Sequence, residues 1–371
     1  MARSSRATAG AIPRSQSDVS RQRRAVAAPD KFRGTATAAE VAAAIAEACA
    51  AAGWECDRAP MADGGEGTLE VLAARGAGSG RHWAARHTSV TGPLGGPVRA
   101  EWRVSESTAV IEMARASGLD LLGGPDNNDA LAATTCGTGE LILAALESGV
   151  RRVIVGAGGS ATTDGGFGAL GALGPARRFR GDELVVACDV DLLFLDAAEV
   201  FAAQKGATSA QVQLLTRRLE RLWEIYLRDY GVDVRNIPGS GAAGGLAGGL
   251  AAAGAIIVPG FDVVAEALGF AERLAHSDLV ITGEGCLDAE SFRGKVVGGV
   301  VGMATEAGLP ALVVAGDVDP IGLDPLPDGT AVVSLVELFG SERAHGDTTE
   351  CVRQAVAQWL DAPGRSASPG P

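Results

Sequence analysis

Histidine, aromatic rings and paired cysteines are all scarce in this chain of 371 residues. The four histidines, His82, His87, His276 and His345, form no HExxH pair, which excludes a zincin-type metal site and leaves little for a His-centred triad. Six cysteines, Cys49, Cys56, Cys136, Cys188, Cys286 and Cys351, show no CxxC and read as reduced thiols. Aromatics make up only 4%, so the core must be built from Ala, Val, Leu and Ile. A P-loop is absent: Gly294-Lys295 runs into Val296, and the earlier glycine of that motif is missing. Basic charge is in deficit, with 32 Lys and Arg against 45 Asp and Glu, a net −13. Phosphate backbones need a basic surface, so nucleic acid is not the expected partner. No apolar h-region follows the start of the chain, so secretion is not expected and a cytoplasmic location is.

Glycine is what the chain has in excess, 52 residues, about twice the ordinary usage of roughly 7%. No Gly-X-Y period accompanies it; the glycines cluster beside apolar runs. Residues 1–24 carry six Arg against Asp18 alone and are Ser-rich, a composition shared by transit peptides and disordered basic arms; a disordered arm is the expectation. Residues 362–371 read as a disordered tail. Asn236 to Phe261 lacks charge, but its Gly and Ala content and the bracketing Pro238 and Pro259 argue for a glycine loop and a buried helix, not a membrane span.

Short β-branched runs followed by Gly or Asp and then a helical pattern recur at Ala25–Pro29, Arg152–Val155, Asp278–Thr282 and Ala311–Ala315, with Leu184–Ala187 as a fifth run. That repetition predicts α/β layers with mostly parallel strands, and ligands gather at the carboxyl ends of such strands. Thr37 and Glu40 form a capping box for a helix to Ala51. Gln211–Tyr226 is a second helix, with Leu214, Leu215, Leu219 and Leu222 on its face. TGPLGG, Thr91–Gly96, is a turn between two strands.

Four glycine clusters carry the candidate chemistry. The first, Asp63-Gly64-Gly65-Glu66-Gly67, precedes a helix at Leu69; its acids suit hydroxyl groups or a metal ion, or else cap the helix. The second, Gly156 to Gly166, formally satisfies GxGxxA but lacks the downstream acid that holds a ribose. Gly158, Gly159 and Ser160 read more simply as an oxyanion-accepting loop. The third, Gly239 to Gly245, has no convincing strand before it; Gly239 and Gly241 either approach phosphates or serve packing. The fourth places Glu284 and Asp288 after a strand, with Lys295 beyond, a set that resembles parts holding Mg²⁺ and phosphate oxygens. Lys31 closes the first strand and either neutralises a transferring phosphoryl group or is solvated. Asp189 closes another strand as a general base or a turn residue.

Taken in order, APDKFRGTATAAEVA, MADGGEGTLEVL, VTGPLGGPV, IEMARASGL, ATTCGTGELI, VGAGGSATTDGG, ACDV, QKGAT, GSGAAGGLAGGL and DLVITGEGCLD resemble the bacterial glycerate kinase family from about Val26 to about Leu360. The resemblance implies a two-domain α/β enzyme that phosphorylates D-glycerate with ATP and Mg²⁺, usually at the 2-hydroxyl. It further implies a discontinuous flavodoxin-like doubly wound domain from residues 25–80 and 262–361, with a second α/β domain, 81–261, inserted. By resemblance Asp63, Gly64, Gly65, Glu66, Gly67, Gly158, Gly159, Ser160 and Asp164 bind substrate, and Gly239, Gly241, Glu284, Asp288 and Lys295 bind the nucleotide. Glu284 and Asp288 would hold the metal, Lys31 would steady the transferred phosphoryl group, and Asp189 would take the hydroxyl proton. The chain departs from the family pattern on both sides of Asp189: Pro175–Val186 is short, and Val190–Asp196 replaces an Asn-Pro-Leu-like turn. Three readings stay open at this point: an active kinase yielding 2- or 3-phosphoglycerate, a silent sugar-acid-binding protein, and a nicotinamide-dependent dehydrogenase. A homodimer is left open as well.

Overall fold

The computed structural model describes residues 22–73, 82–174, 179, 182–292, 295–319 and 326–362. The bulk of the basic arm, the tail beyond residue 362, Arg293-Gly294 and part of the short segment before Asp189 lie outside them.

Eleven strands form two sheets among the described residues. The first sheet contains β1 (Arg24–Ala27), β2 (Glu55–Arg58), β9 (Leu279–Leu287), β10 (Ala311–Val318) and β11 (Thr330–Ser334), in the order β11-β10-β9-β1-β2, every pairing parallel. Counted within that sheet the order is 2-1-3-4-5, the flavodoxin-like arrangement, and its switch point lies between β1 and β9. Its strands come from both ends of the chain. The second sheet holds β3 (Ala84–Thr91), β4 (Pro97–Ser105), β5 (Thr108–Glu112), β6 (Arg152–Gly156), β7 (Glu183–Cys188) and β8 (Ile256–Pro259) in sequence order. Its first three strands are an antiparallel meander and the rest are parallel.

Local chemistry accounts for the elements that the sequence predicts. Thr37 caps the helix Ala38–Ala51, its hydroxyl accepting from Glu40 N–H while Glu40 accepts from Thr37 N–H. Gly92 donates to Gly96 O across the predicted hairpin turn. The expected buried helix occupies the later part of Ala242–Ala252, after Ala243, Gly244 and Gly245, whose φ values are positive. The long helix runs further than expected, Ser209–Tyr230, from a Thr208–Gln211 capping box. Leu215 and Leu219 are buried on it, whereas Leu214 is exposed, because it falls one position off the apolar stripe.

The helix Gly260–Leu268 lies between the sheets. Val263, Val264 and Leu268 belong to one buried cluster with Val110, Ile154 and Val185 of the second sheet and Val26, Val280 and Val313 of the first. The two sheets therefore share a core on this side, and their carboxyl edges are brought toward each other.

Candidate active site

At the switch point the chain leaves β1 through Asp30, Lys31 and Arg33, and two cavities open there. One, of 320 Å³, is walled by Asp30, Lys31, Arg33, Asp63, Glu284 and Lys295 among others, and is rich in charged side chains. The other, of 660 Å³, is lined largely by apolar groups such as Ala38, Met61, Ala62 and Leu121, with Glu66 and Arg115 at its edge. Asp30 and Lys31 belong to both walls.

Acids crowd this region, and burial raises the pKa of Asp30, Asp189 and Glu284. Burial, then the neighbouring charges of Asp63 and Glu284, push the Asp30 carboxyl up to about 7, against the opposing pull of Lys31. Asp189, at the end of β7, is raised by burial and by Asp63, and is drawn down by Lys295 and Arg33. Glu284 is raised chiefly by burial, with the Ser291 hydroxyl and Lys295 opposing. Acids of both sheets thus act on the same cations. Lys31 Nζ donates to Glu66 O at 2.7 Å, which ties β1's end to the Asp63–Gly67 loop.

That loop is held by close backbone packing. Gly64 has φ +84, and a Cβ there would lie 2.8 Å from Gly260 Cα and 2.9 Å from Ala187 Cβ. A Cβ on Gly158 would come within 2.8 Å of Gly65 Cα. The small residues let the loop lie directly on the carboxyl ends of β6 and β7. Asp63 Oδ1 accepts from Gly65 N–H at 3.0 Å, fixing the acid within the turn.

A residue that the sequence motifs contain without a role completes the loop. Glu112, 1% exposed at the end of β5, accepts from Gly67 N–H at 3.1 Å and Leu69 N–H at 2.9 Å, the free donors that open the helix Thr68–Ala73. Arg115 donates to Glu112 at 2.9 Å and also bonds Glu70. The second sheet therefore reaches across and caps a helix that follows a strand of the first.

Not every predicted site residue stands in the cleft. Asp164 accepts from Thr135 N–H (2.8 Å), Thr135 Oγ1, Gly166 N–H (3.1 Å) and Gly168 N–H (3.2 Å), so its oxygens are consumed in pinning two helix starts. Gly239 and Gly241 are buried and line neither cavity: a Cβ on Gly239 would meet Cys188 Sγ and Ile257 Cγ2 at 2.9 Å, and one on Gly241 would meet Leu193 O at 2.3 Å. Their smallness serves packing. Asp288 Oδ1 accepts from Glu290 N–H at 2.8 Å and Ser291 N–H at 3.0 Å, and Lys295 donates to Glu290 at 3.1 Å. Glu284 lies inside β9, since the strand runs five residues past Thr282 by pairing with Ala315 and its successors on β10.

Among the described residues no three acids, histidines or cysteines form a ready metal cage. A magnesium ion carried on nucleotide phosphates needs only one or two carboxylates, and Glu284 fits that need: its Oε1 is buried and has no hydrogen-bond partner among the described residues.

Sequence comparison gives an independent line. The profile of the Glycerate kinase family matches residues 25–180 and 175–361. The Escherichia coli (strain K12) Glycerate 2-kinase is 38% identical over 353 residues, covering 85% of this chain and 91% of that protein. The Bacillus subtilis (strain 168) Glycerate kinase is 38% identical, covering 79% and 85%. A Salmonella typhimurium LT2 structure assigned as glycerate kinase 2 superposes with TM-score 0.74 at 35% identity, covering 92% of this chain and 98% of that one.

Proposed function

The chain belongs to the glycerate kinase family, and from that premise we propose that it transfers the γ-phosphoryl group of ATP to the 2-hydroxyl of D-glycerate, releasing ADP and 2-phosphoglycerate. The observation that carries this reading is the meeting of Asp30, Asp63, Asp189 and Glu284 with Lys31, Arg33 and Lys295 at the switch point. Phosphoryl transfer asks a protein mainly for positioning, for cations near the transferred group and for an acid to orient the hydroxyl. Each is supported here by a named side chain.

The polar cavity suits the triphosphate, beside Arg33, Lys31 and Lys295. Mg²⁺, when bound, neutralises charge on the phosphate oxygens; Glu284, with Asp288, would hold it. Lys31 stands on the wall common to both cavities and steadies the phosphoryl group in transit. The acceptor lies against the Asp63–Gly67 and Gly158–Ser160 loops. Asp189 takes the hydroxyl proton, its raised pKa making it a better base than an exposed carboxylate. Asp30 is the second reading for that role, favoured by its place on both walls and a pKa of about 7.

A coupled assay of ADP formation with and without D-glycerate decides the activity, and no glycerate-dependent turnover sinks it. Phosphorus NMR of the product separates the 2-phosphate from the 3-phosphate. Asp189→Asn is expected to cost about 10²–10⁴-fold in kcat; full activity in that variant, with the loss appearing in Asp30→Asn instead, moves the base to Asp30. Among the described residues no helix is long and apolar enough to cross a membrane. A cytoplasmic location and a homodimer are proposed as well, tested by cell fractionation and sedimentation.

A further inference from the structure

Lys205 is 7% exposed, at the end of the short turn Ala203–Lys205. Its Nζ donates to Ser160 Oγ at 2.7 Å and to Thr162 O at 2.7 Å. Asn128 Nδ2 donates both to Ala161 O at 2.9 Å and to Lys205 O at 2.8 Å, so turn and loop are already joined without the ammonium. Among the described residues no carboxylate forms an ion pair with Lys205. Among them Asp164 exerts the one favourable field on it, and its oxygens are spent elsewhere. A buried cation without a counter-charge is costly, and an apolar chain of the same length would fill the space at less expense.

Proton counting gives the cation a use. In its protonated form, the one a neighbouring carboxylate favours, Lys205 only donates, so Ser160 Oγ is then an acceptor in this bond and its own proton must be given elsewhere. No other partner of that hydroxyl exists among the described residues. Ser160 is half-buried, and its neighbour Gly159 is exposed beside Ala114 and the Glu66 carboxylate, both of which line the 660 Å³ cavity.

We propose that Ser160 and Lys205 form the socket for the acceptor's carboxylate, with the Ser160 hydroxyl as the contacting donor and Lys205 supplying the opposing charge from beneath. This rests on the glycerate kinase reading and deepens it. Lys205 acts through Ser160 and is a positioning and specificity-determining residue, which fixes the carboxylate end of the acceptor at the Gly158–Ser160 loop.

The test is steady-state kinetics of the full chain with ATP and either D-glycerate or its neutral amide, glyceramide, in wild type, Lys205→Met and Ser160→Ala. The KM for D-glycerate is expected to rise about 10- to 100-fold in Lys205→Met, the loss of a charge-assisted bond, while the KM for ATP stays put. Preference for glycerate over glyceramide should collapse, a change that a merely structural lysine would not produce. An unchanged glycerate KM and unchanged preference overturn the proposal. A rise in the ATP KM alone would assign the socket to a phosphate and overturn it as well. Replacing a buried charge by Met is expected to leave melting unchanged or higher; should that variant not fold, Ser160→Ala decides, since it deletes only the hydroxyl, and an unchanged glycerate KM there is fatal. If wild type does not turn over D-glycerate at all, the glycerate kinase reading itself has failed.

Discussion

At Asp30 a carboxyl group sits where burial and two neighbouring acids hold its pKa at about 7, well above the ordinary 3.8. Between those values the folded state binds more protons than the unfolded chain. Stability from this group is therefore full below about pH 4 and lost as pH rises through 7. Asp30→Asn should melt higher than wild type at pH 8 in the absence of nucleotide, with the difference vanishing near pH 4; calorimetry at the two pH values checks it. Lys205 has the opposite linkage, its pKa lowered to about 7 by burial with Asp164 opposing. Its contribution to stability grows as pH rises from 7 toward 10.5, and Lys205→Met should flatten that slope. Gly64 is a residue with no substitute, since its positive φ and its contacts with Gly260 and Ala187 leave no room for a side chain. Gly64→Ala is expected to lose about 2–4 kcal/mol in urea unfolding. Asp30 and Lys205 both stand in recognisable sequence motifs, yet nothing in a linear string tells Asp30 that it will be buried beside other acids, or Lys205 that it will be buried at all.

Elements whose ends are set locally were legible. The helix from Ala38 was readable because Thr37 and Glu40 bond across three residues, and Thr37→Ala should cost about 1 kcal/mol of stability. The Gly-rich hairpin turn was readable for the same reason. By contrast β2, with the sequence ECDR at a sheet edge, carries no apolar run, and its strand character comes wholly from pairing with β1. The length of β9 likewise depends on β10, which carries Glu284 into the strand. The helix Thr68–Ala73 has its cap supplied from 43 residues away, by Glu112. Glu112→Ala should leave two N–H groups unpaired, costing about 1–3 kcal/mol, and raise the KM for D-glycerate by loosening the Asp63–Gly67 loop; denaturation and kinetics on one preparation test both.

For the whole molecule, a net charge of −13 opposes the approach of two anionic substrates. Screening should relieve that repulsion, so kcat/KM for D-glycerate is expected to rise modestly as NaCl goes from about 10 to 150 mM at fixed Mg²⁺. A fall with salt would mean that Lys31, Arg33, Lys295 and Arg115 outweigh the body's charge at the cleft. The division at residues 81 and 261 stands as a proposal at this scale, to be tested by limited proteolysis.

Composition and short-range pattern were enough to establish an α/β protein with an aliphatic core, reduced cysteines, glycine clusters at strand ends, and motifs similar to one kinase family. These properties depend on side-chain type and on neighbours within a few positions. Tertiary contacts determined which glycines face the cleft and which merely let backbones touch, turning Gly239 and Gly241 into packing positions and Asp164 into an anchor for two helices. They also determined which acids share a field, and that Ser160 is backed by Lys205. Pairing, burial and charge coupling join residues far apart in the chain, and only folding sets those distances.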